Sequence, residues 1–181
     1  MTSRSAKSAG FTLIELMIAV AVFAALLALG LPSFQQLLKN YQVRVAAESV
    51  ANGVQRARAE AVSRNSTIQF VLQGGTSWNV DYAVAANRGP NPIDSRLSTE
   101  GSANVVLAAV AADLATAATT ITFNNLGQVA ANADASPALS QITFNATASG
   151  ANQILRVKIG AGGNTRVCDP SLPSTNVRYC P

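Results

Sequence analysis

Phe11-Thr12-Leu13-Ile14-Glu15-Leu16-Met17 opens a run of 21 residues that reaches Leu31 and holds a single charge, Glu15. At about 1.5 Å of helical rise per residue, the run is long enough to cross a bilayer. The ten residues before it are polar and carry Arg4 and Lys7. Positive charge on that side predicts a cytoplasmic N-terminus and export of the remainder. Pro32 ends the fully apolar stretch and is expected to kink a helix, because it removes one backbone bond and crowds the preceding turn.

Helical patterning resumes after Pro32. Val43, Ala47, Val50, Val54, Ala57 and Ala61 step by three or four and draw one stripe. Arg44–Glu48, Arg56–Glu60 and Glu60–Arg64 have the spacing of ion pairs along a helix face. Asn65 is a candidate left-handed stop after Arg64. A helix from Thr12 to Arg64 is about 80 Å long. A domain of this size cannot bury all of it, so the first half needs lipid or neighbouring subunits.

Beyond Asn65 the period becomes two. Ile68, Phe70 and Leu72 alternate, Gly74-Gly75 turns, and Trp78, Val80, Tyr82 and Val84 alternate again, which predicts a β-hairpin. Residues 86–98 read as a loop around Arg88-Gly89-Pro90-Asn91-Pro92. A strand is expected near Asn104–Val110, and the alanine-rich stretch Ala108–Ala118 has no clear period. Ile121 and Phe123 mark another strand, followed by a turn at Asn124–Gly127. Ile142 and Phe144, then Leu155, Val157 and Ile159, predict a second hairpin across Thr147–Asn152. Arg156 and Lys158 should point away from the core. Gly160–Gly163 breaks the last strand before a cysteine-bounded tail. The expected class is α+β: a long N-terminal helix whose C-terminal half packs on an antiparallel sheet.

Composition narrows the chemistry. Charged residues make up 12% and apolar residues 49%, and the net charge is +4. Cutting after Gly10 removes two of those positive charges, leaving a mildly basic chain that does not by itself mark a nucleic-acid binder. Histidine is absent, which removes His triads, His metal sites and the usual general base near neutral pH. Two cysteines without histidine cannot complete a four-ligand zinc site. Cys168 and Cys180 are either a disulfide or two free buried thiols. The export signal favours the disulfide, which implies a periplasmic or surface compartment and contributes about 3 kcal/mol in the chain-entropy model. Glu48 and Glu60 read as helix-surface charges and Asp81 as the polar side of a strand. No nucleophile–base pair or phosphate loop emerges, so an enzyme, a cofactor and a metal are not expected.

The basic leader admits two cut sites. An ordinary secretory signal would be cleaved after the apolar run, where Ala28-Leu29-Gly30 supplies small residues. Alternatively the cut falls between Gly10 and Phe11, and the helix is kept. Glu15 tilts the balance, because a carboxylate inside an apolar run is costly without a cation. Cleavage before Phe11 would create one, the new α-amino group. The helical stripe beyond Pro32 also makes the apolar run and the head look like one element.

Ala9-Gly10-Phe11-Thr12-Leu13-Ile14-Glu15-Leu16-Met17 resembles the processing site of type IV prepilins and type II secretion pseudopilins. The resemblance implies cleavage after Gly10 by a membrane-embedded prepilin peptidase and N-methylation of Phe11. It makes Glu15 the assembly carboxylate that neutralises a neighbouring subunit's N-terminus, and it gives Pro32 the role of the helix-kinking proline. The implied segments are a leader at 1–10, a transmembrane and filament-core helix at 11–38, and a periplasmic or pilus head at 39–181. The implied location is the bacterial inner membrane, single-pass, and then the pilus.

Val54-Gln55-Arg56-Ala57-Arg58-Ala59-Glu60-Ala61-Val62-Ser63-Arg64-Asn65 is similar to the helix end of the GspH/FimT group, and the tail from Arg166 to Cys180 is most like FimU-type minor pilins. This likeness implies a type IV pilin fold and a minor pilin in pilus assembly, with major and minor pilins as partners. An equivalent pseudopilin of type II secretion is the alternative. Some FimT-type relatives bind DNA through a Gly-Arg-x-Arg segment. Here Gly163-Asn164-Thr165-Arg166 keeps one of the two arginines, and Arg156, Lys158, Arg166 and Arg178 form the candidate DNA-binding set.

Overall fold

The computed structural model describes residues 10–84, 92–146 and 153–180, with the backbone alone at Pro32. Two compact units divide the chain between Gln36 and Leu37. Helix α1, Leu13–Ser63, contributes to both. The leader residues before Gly10, most of the Arg88–Pro92 loop and the Thr147–Asn152 connection lie outside the described residues.

In the first unit the apolar side chains of α1 face outward. Leu13, Ile14, Met17, Ile18, Phe23 and Leu26 are all exposed, and no residue of its most apolar 18-residue window, mean hydropathy 2.6, is buried within the chain. This is a helix long and apolar enough to cross a membrane by length and composition.

In the second unit the helical stripe becomes a packed face. Val43, Ala47, Val50, Val54, Ala57 and Ala61 are all fully buried, as the three-and-four spacing requires. Gly53 lets the helix approach the aromatic layer closely: a Cβ there would lie 2.8 Å from the Phe70 ring and 3.0 Å from that of Trp78. Ser49 Oγ, also buried, accepts the Trp78 indole N–H at 2.9 Å. The helix ends as Asn65 predicts. Asn65 adopts φ 48°, its N–H reaches Val62 O, and the Ser66 N–H reaches Ala61 O, which satisfies carbonyls of the last turn in a Schellman arrangement.

The head holds two antiparallel sheets where the sequence reading expects one. β1 (Ile68–Leu72), β2 (Trp78–Tyr82), β3 (Asp94–Arg96), β5 (Thr120–Phe123) and β6 (Val129–Ala130) form the first, in the order β3-β2-β1-β5-β6. β4 (Val105–Val110), β7 (Gln141–Ala146), β8 (Leu155–Ile159) and β9 (Thr165–Cys168) form the second, in the order β4-β7-β8-β9. Strand alternation marks where strands lie but not which edge they join. Phe70 stands opposite both Val80 and Ile121, and Ile142 opposite both Ala109 and Val157. These residues and the helical stripe share one apolar core. As alternation predicts, Arg156 and Lys158 alternate with the buried Leu155, Val157 and Ile159.

Three further expectations change. The segment read as a loop at 86–98 contains β3, because β2 needs an edge partner and Asp94–Arg96 supplies it. Val84 lies beyond the end of β2 and is exposed. Arg56–Glu60 and Glu60–Arg64 pair, at 2.9 and 2.5 Å. Arg44 and Glu48 make no ion pair with each other; both line a cleft under the C-terminal tail instead.

Candidate assembly and processing site

Gly10 and Phe11 precede α1 and are exposed. Thr12 sits at the N-cap, and its Oγ1 accepts the backbone N–H of Glu15 at 3.3 Å. Thr12-x-x-Glu15 therefore has the spacing of a capping box, and Glu15 lies in the first turn, where the helix dipole favours an anion. The sequence reading gave Glu15 a role through charge alone and missed this local one, although the four-residue pattern was legible. The carboxylate is on the exposed first turn, four residues from Phe11. Pro32 lies inside α1, which continues on both sides of it.

At the other end of the chain, Cys168 and Cys180 form a disulfide, with Cα atoms 5.2 Å apart and both residues buried. A parallel bridge between Asp169 and Tyr179 runs beside it. Arg166 spends its guanidinium on this tail, donating to Val177 O at 2.5 Å and to Tyr179 O at 3.2 Å. Lys158 stands opposite Arg166 in the sheet register, and Arg156 opposite Cys168. Three of the four basic candidates thus share one face of β8 and β9. The fourth, Arg178, lines the cleft of about 230 Å³ with Arg44, Glu48 and Asp169. Asn164, where the DNA-binding pattern has its first arginine, shapes the β8–β9 turn. Its carbonyl accepts the Gly160 N–H, and its side chain lies against Gly160.

The Val54–Asn65 string, given from sequence as a family likeness, includes an anchor. Arg58 Nε donates to Gly127 O at 2.9 Å. Gly127 (φ 72°) turns between β5 and β6, and Gly163 (φ 77°) turns between β8 and β9. A Cβ on Gly163 would fall 2.8 Å from Gly127 O and 3.2 Å from Arg58 Cδ. Gln55 adds a bond to Thr165 Oγ1 at 2.6 Å. One helix turn thereby ties both sheets together through their turns. A second hub, Asn132, accepts the Thr122 hydroxyl at 2.9 Å and donates to Thr120 O and Ser136 O. Neither hub was marked by periodicity.

An exposed apolar helix entered through a capped glutamate, followed by a helix-backed, disulfide-closed β head, defines a type IV pilin-like protein. Residues 5–31 match the model of the prokaryotic N-terminal methylation motif, and residues 46–175 match that of type II transport protein GspH. The chain belongs to the GspH family, the GspH/FimT group of minor pilins and pseudopilins of type IV pili or type II secretion systems. Its fold is similar to that of the type IV minor pilin FimU of Pseudomonas aeruginosa PAO1, at TM-score 0.50 and 17% identity over 75% of this chain and 92% of that one. It is similar also to the minor pseudopilin EpsH of the Vibrio cholerae Type 2 Secretion System, at TM-score 0.51 and 12% identity over 72% of this chain and 99% of that one. At such identities the likeness shows the fold alone. A search of curated proteins finds no match.

Proposed function

We propose that this chain is a minor pilin that takes part in assembling a type IV pilus, as a priming, tip or connecting subunit. In this reading residues 1–10 are a leader, cleaved by a prepilin peptidase between Gly10 and Phe11, and Phe11 is N-methylated. Residues 11–38 hold the chain in the bacterial inner membrane and then pack among other pilins. Residues 39–181 form the periplasmic head, which meets other minor pilins, and Pro32 gives the helix its bend. The observation that carries the reading is the exposed apolar face of α1 with one carboxylate, Glu15, in its first turn. A charge so placed has most to gain from a neighbour's α-amino group when helices pack away from water.

Two other readings have specific support. The type II secretion alternative rests on the family model's own description and on the likeness to EpsH; the cysteine-bounded tail favours the pilus. A DNA receptor is favoured by Arg156, Lys158 and Arg166 on one face, and weakened because Arg166 is occupied by tail carbonyls.

The test is complementation of a deletion strain with wild-type chain and with Glu15→Ala. The expected result is restored piliation with wild type, and normal cleavage before a methylated Phe11 but little filament incorporation for the variant. A mature N-terminus at Leu31 would falsify the pilin reading, and normal incorporation of Glu15→Ala would remove the charge-pairing role. Lost secretion with intact pili would move the chain to the secretion machine.

A further inference from the structure

Where the second unit begins, α1 presents a graded face. Leu37, Tyr41, Arg44 and Glu48 are all exposed and follow one another at steps of four, three and four. Such spacing puts the four side chains on one line of the helix. From its N-terminal side the line runs apolar, aromatic, cationic and anionic. Tyrosine is enriched where a membrane meets water. Arg44 follows Tyr41 by three residues, about 4.5 Å along the axis.

Arg44 and Glu48 open into the cleft of about 230 Å³ beneath the disulfide-closed tail. The tail supplies a second pair of opposite charges, Asp169 and Arg178, tied together where the Asp169 N–H donates to Arg178 O at 2.7 Å. Leu155 and Val167 add apolar wall. Among the described residues, the side chains of Arg44, Glu48 and Arg178 make no hydrogen bond and no ion pair. Asp169 gives one carboxylate oxygen to the Ser171 N–H and hydroxyl and keeps the other. The cleft therefore offers two guanidinium groups and two carboxylates, none paired with another. A lone anion would meet the carboxylates and a lone cation the guanidinium groups, and like-charge contact is costly. A ligand that carries both signs escapes both penalties.

We propose that this cleft binds the head group of a zwitterionic phospholipid with a primary ammonium, a phosphatidylethanolamine. Arg44 and Arg178 take the phosphate, which the guanidinium fork fits. Glu48 and Asp169 accept the N–H groups of the ammonium. The order along α1 is the order along such a lipid: acyl chain at Leu37, glycerol at Tyr41, phosphate at Arg44, amine at Glu48. A quaternary ammonium is recognised by aromatic faces, and no aromatic residue lines the cleft among the described residues. A primary ammonium instead needs acceptors for three N–H donors, which carboxylates supply. The cleft is smaller than the about 300–1,000 Å³ of drug-sized sites, so it holds a head group while the acyl chains stay along the helix. The inference rests on reading the first part of α1 as a membrane anchor, and it gives the head a ligand that the anchor alone does not require.

The test uses the full chain, isotope-labelled, in dodecyl maltoside micelles. NMR follows the Asp169 N–H and the side-chain amide of Gln153, which also lines the cleft. Phosphatidylethanolamine is expected to shift both saturably, at a mole fraction at least about tenfold below that needed for phosphatidylcholine or phosphatidylglycerol. Arg44→Gln should weaken the lipid at least about tenfold. Glu48→Gln should erase the preference over phosphatidylglycerol. Both positions are exposed, so neither variant should move the thermal melt. Soluble glycerophosphoethanolamine should act on the same residues at least about tenfold more weakly, because it lacks the chains that lie along Leu37 and Tyr41. Equal affinity for the lipid and the soluble head group overturns the membrane source. Equal shifts with all three lipids, or an Arg44→Gln chain that binds like wild type, overturn the proposal outright. The mass of the mature chain keeps two failures apart: a first residue at Leu31 removes the anchor and the proposal with it, whereas a retained α1 without lipid preference overturns the proposal alone.

Discussion

Replacing Gly163 by alanine probes the knot that joins α1 to both sheets. Gly163 adopts φ 77°, a conformation that costs an L-residue about 1–2 kcal/mol. The added Cβ would lie 2.8 Å from Gly127 O, 3.0 Å from the Phe123 ring and 3.2 Å from Arg58 Cδ. The nearest of these atoms is backbone and the others are held in place, so none yields easily. Overpacking of this kind costs about 1–3 kcal/mol. The expected total is about 2–5 kcal/mol, a large part of a domain's stability. Gly74→Ala is the matched control. Gly74 has φ 66° but nothing within 4 Å of its Cβ position, so it carries the backbone cost of about 1–2 kcal/mol and no clash. The difference isolates the clash, and at about 2–4 °C per kcal/mol it should appear as a gap of about 2–12 °C between the two melting temperatures. Trp78 is the lone tryptophan and is buried in the core, so its fluorescence reports unfolding of the head directly. Equal shifts for the two variants would refute the packed knot, because only the backbone cost would then be present.

Two further outcomes are expected. Ser49→Ala should destabilise the head by about 1–3 kcal/mol in a urea melt, because the buried Trp78 N–H loses the Ser49 hydroxyl that accepts it; Ser49→Thr should recover part of that loss. Asp113 is held below the ordinary aspartate value of 3.8, chiefly by the Thr116 hydroxyl and then by the Thr116 and Ala115 N–H groups. A depressed carboxylate contributes stability that is fully present above the unfolded value and is lost as pH falls through the folded one. Its NMR titration midpoint should therefore lie below 3.8, and Thr116→Val should move it upward; an unmoved midpoint would deny the hydroxyl its role.

Local periodicity made much of this protein legible. The three-and-four stripe from Val43 to Ala61 survives intact as the buried helix face, because helical geometry links residue spacing to direction within a single element. The Ile68–Tyr82 hairpin is similarly local: Gly74 and Gly75 both adopt positive φ where the sequence requires a turn. What periodicity could not carry was partnership across distance. Ile121 was readable as a strand residue, but its place beside Phe70 rather than in the other sheet depends on tertiary pairing. Arg44–Glu48 had helical spacing, yet the two side chains line one cleft without forming an ion pair. Nothing in the helix pattern marked Arg58, which the fold brings to Gly127 across 69 residues.

The sequence by itself determined the apolar run, its lone Glu15, the buried helix face from Val43 to Ala61 and the alternating strands. Each is a repeat or a charge within one stretch of chain, so covalent order and element geometry suffice. Only the tertiary structure decided that the strands divide into two sheets and that Arg166 serves the disulfide-closed tail. Those outcomes depend on which hydrogen-bonding groups and side chains meet after the chain has folded back on itself. That pairing is settled by competition among distant segments for the same core.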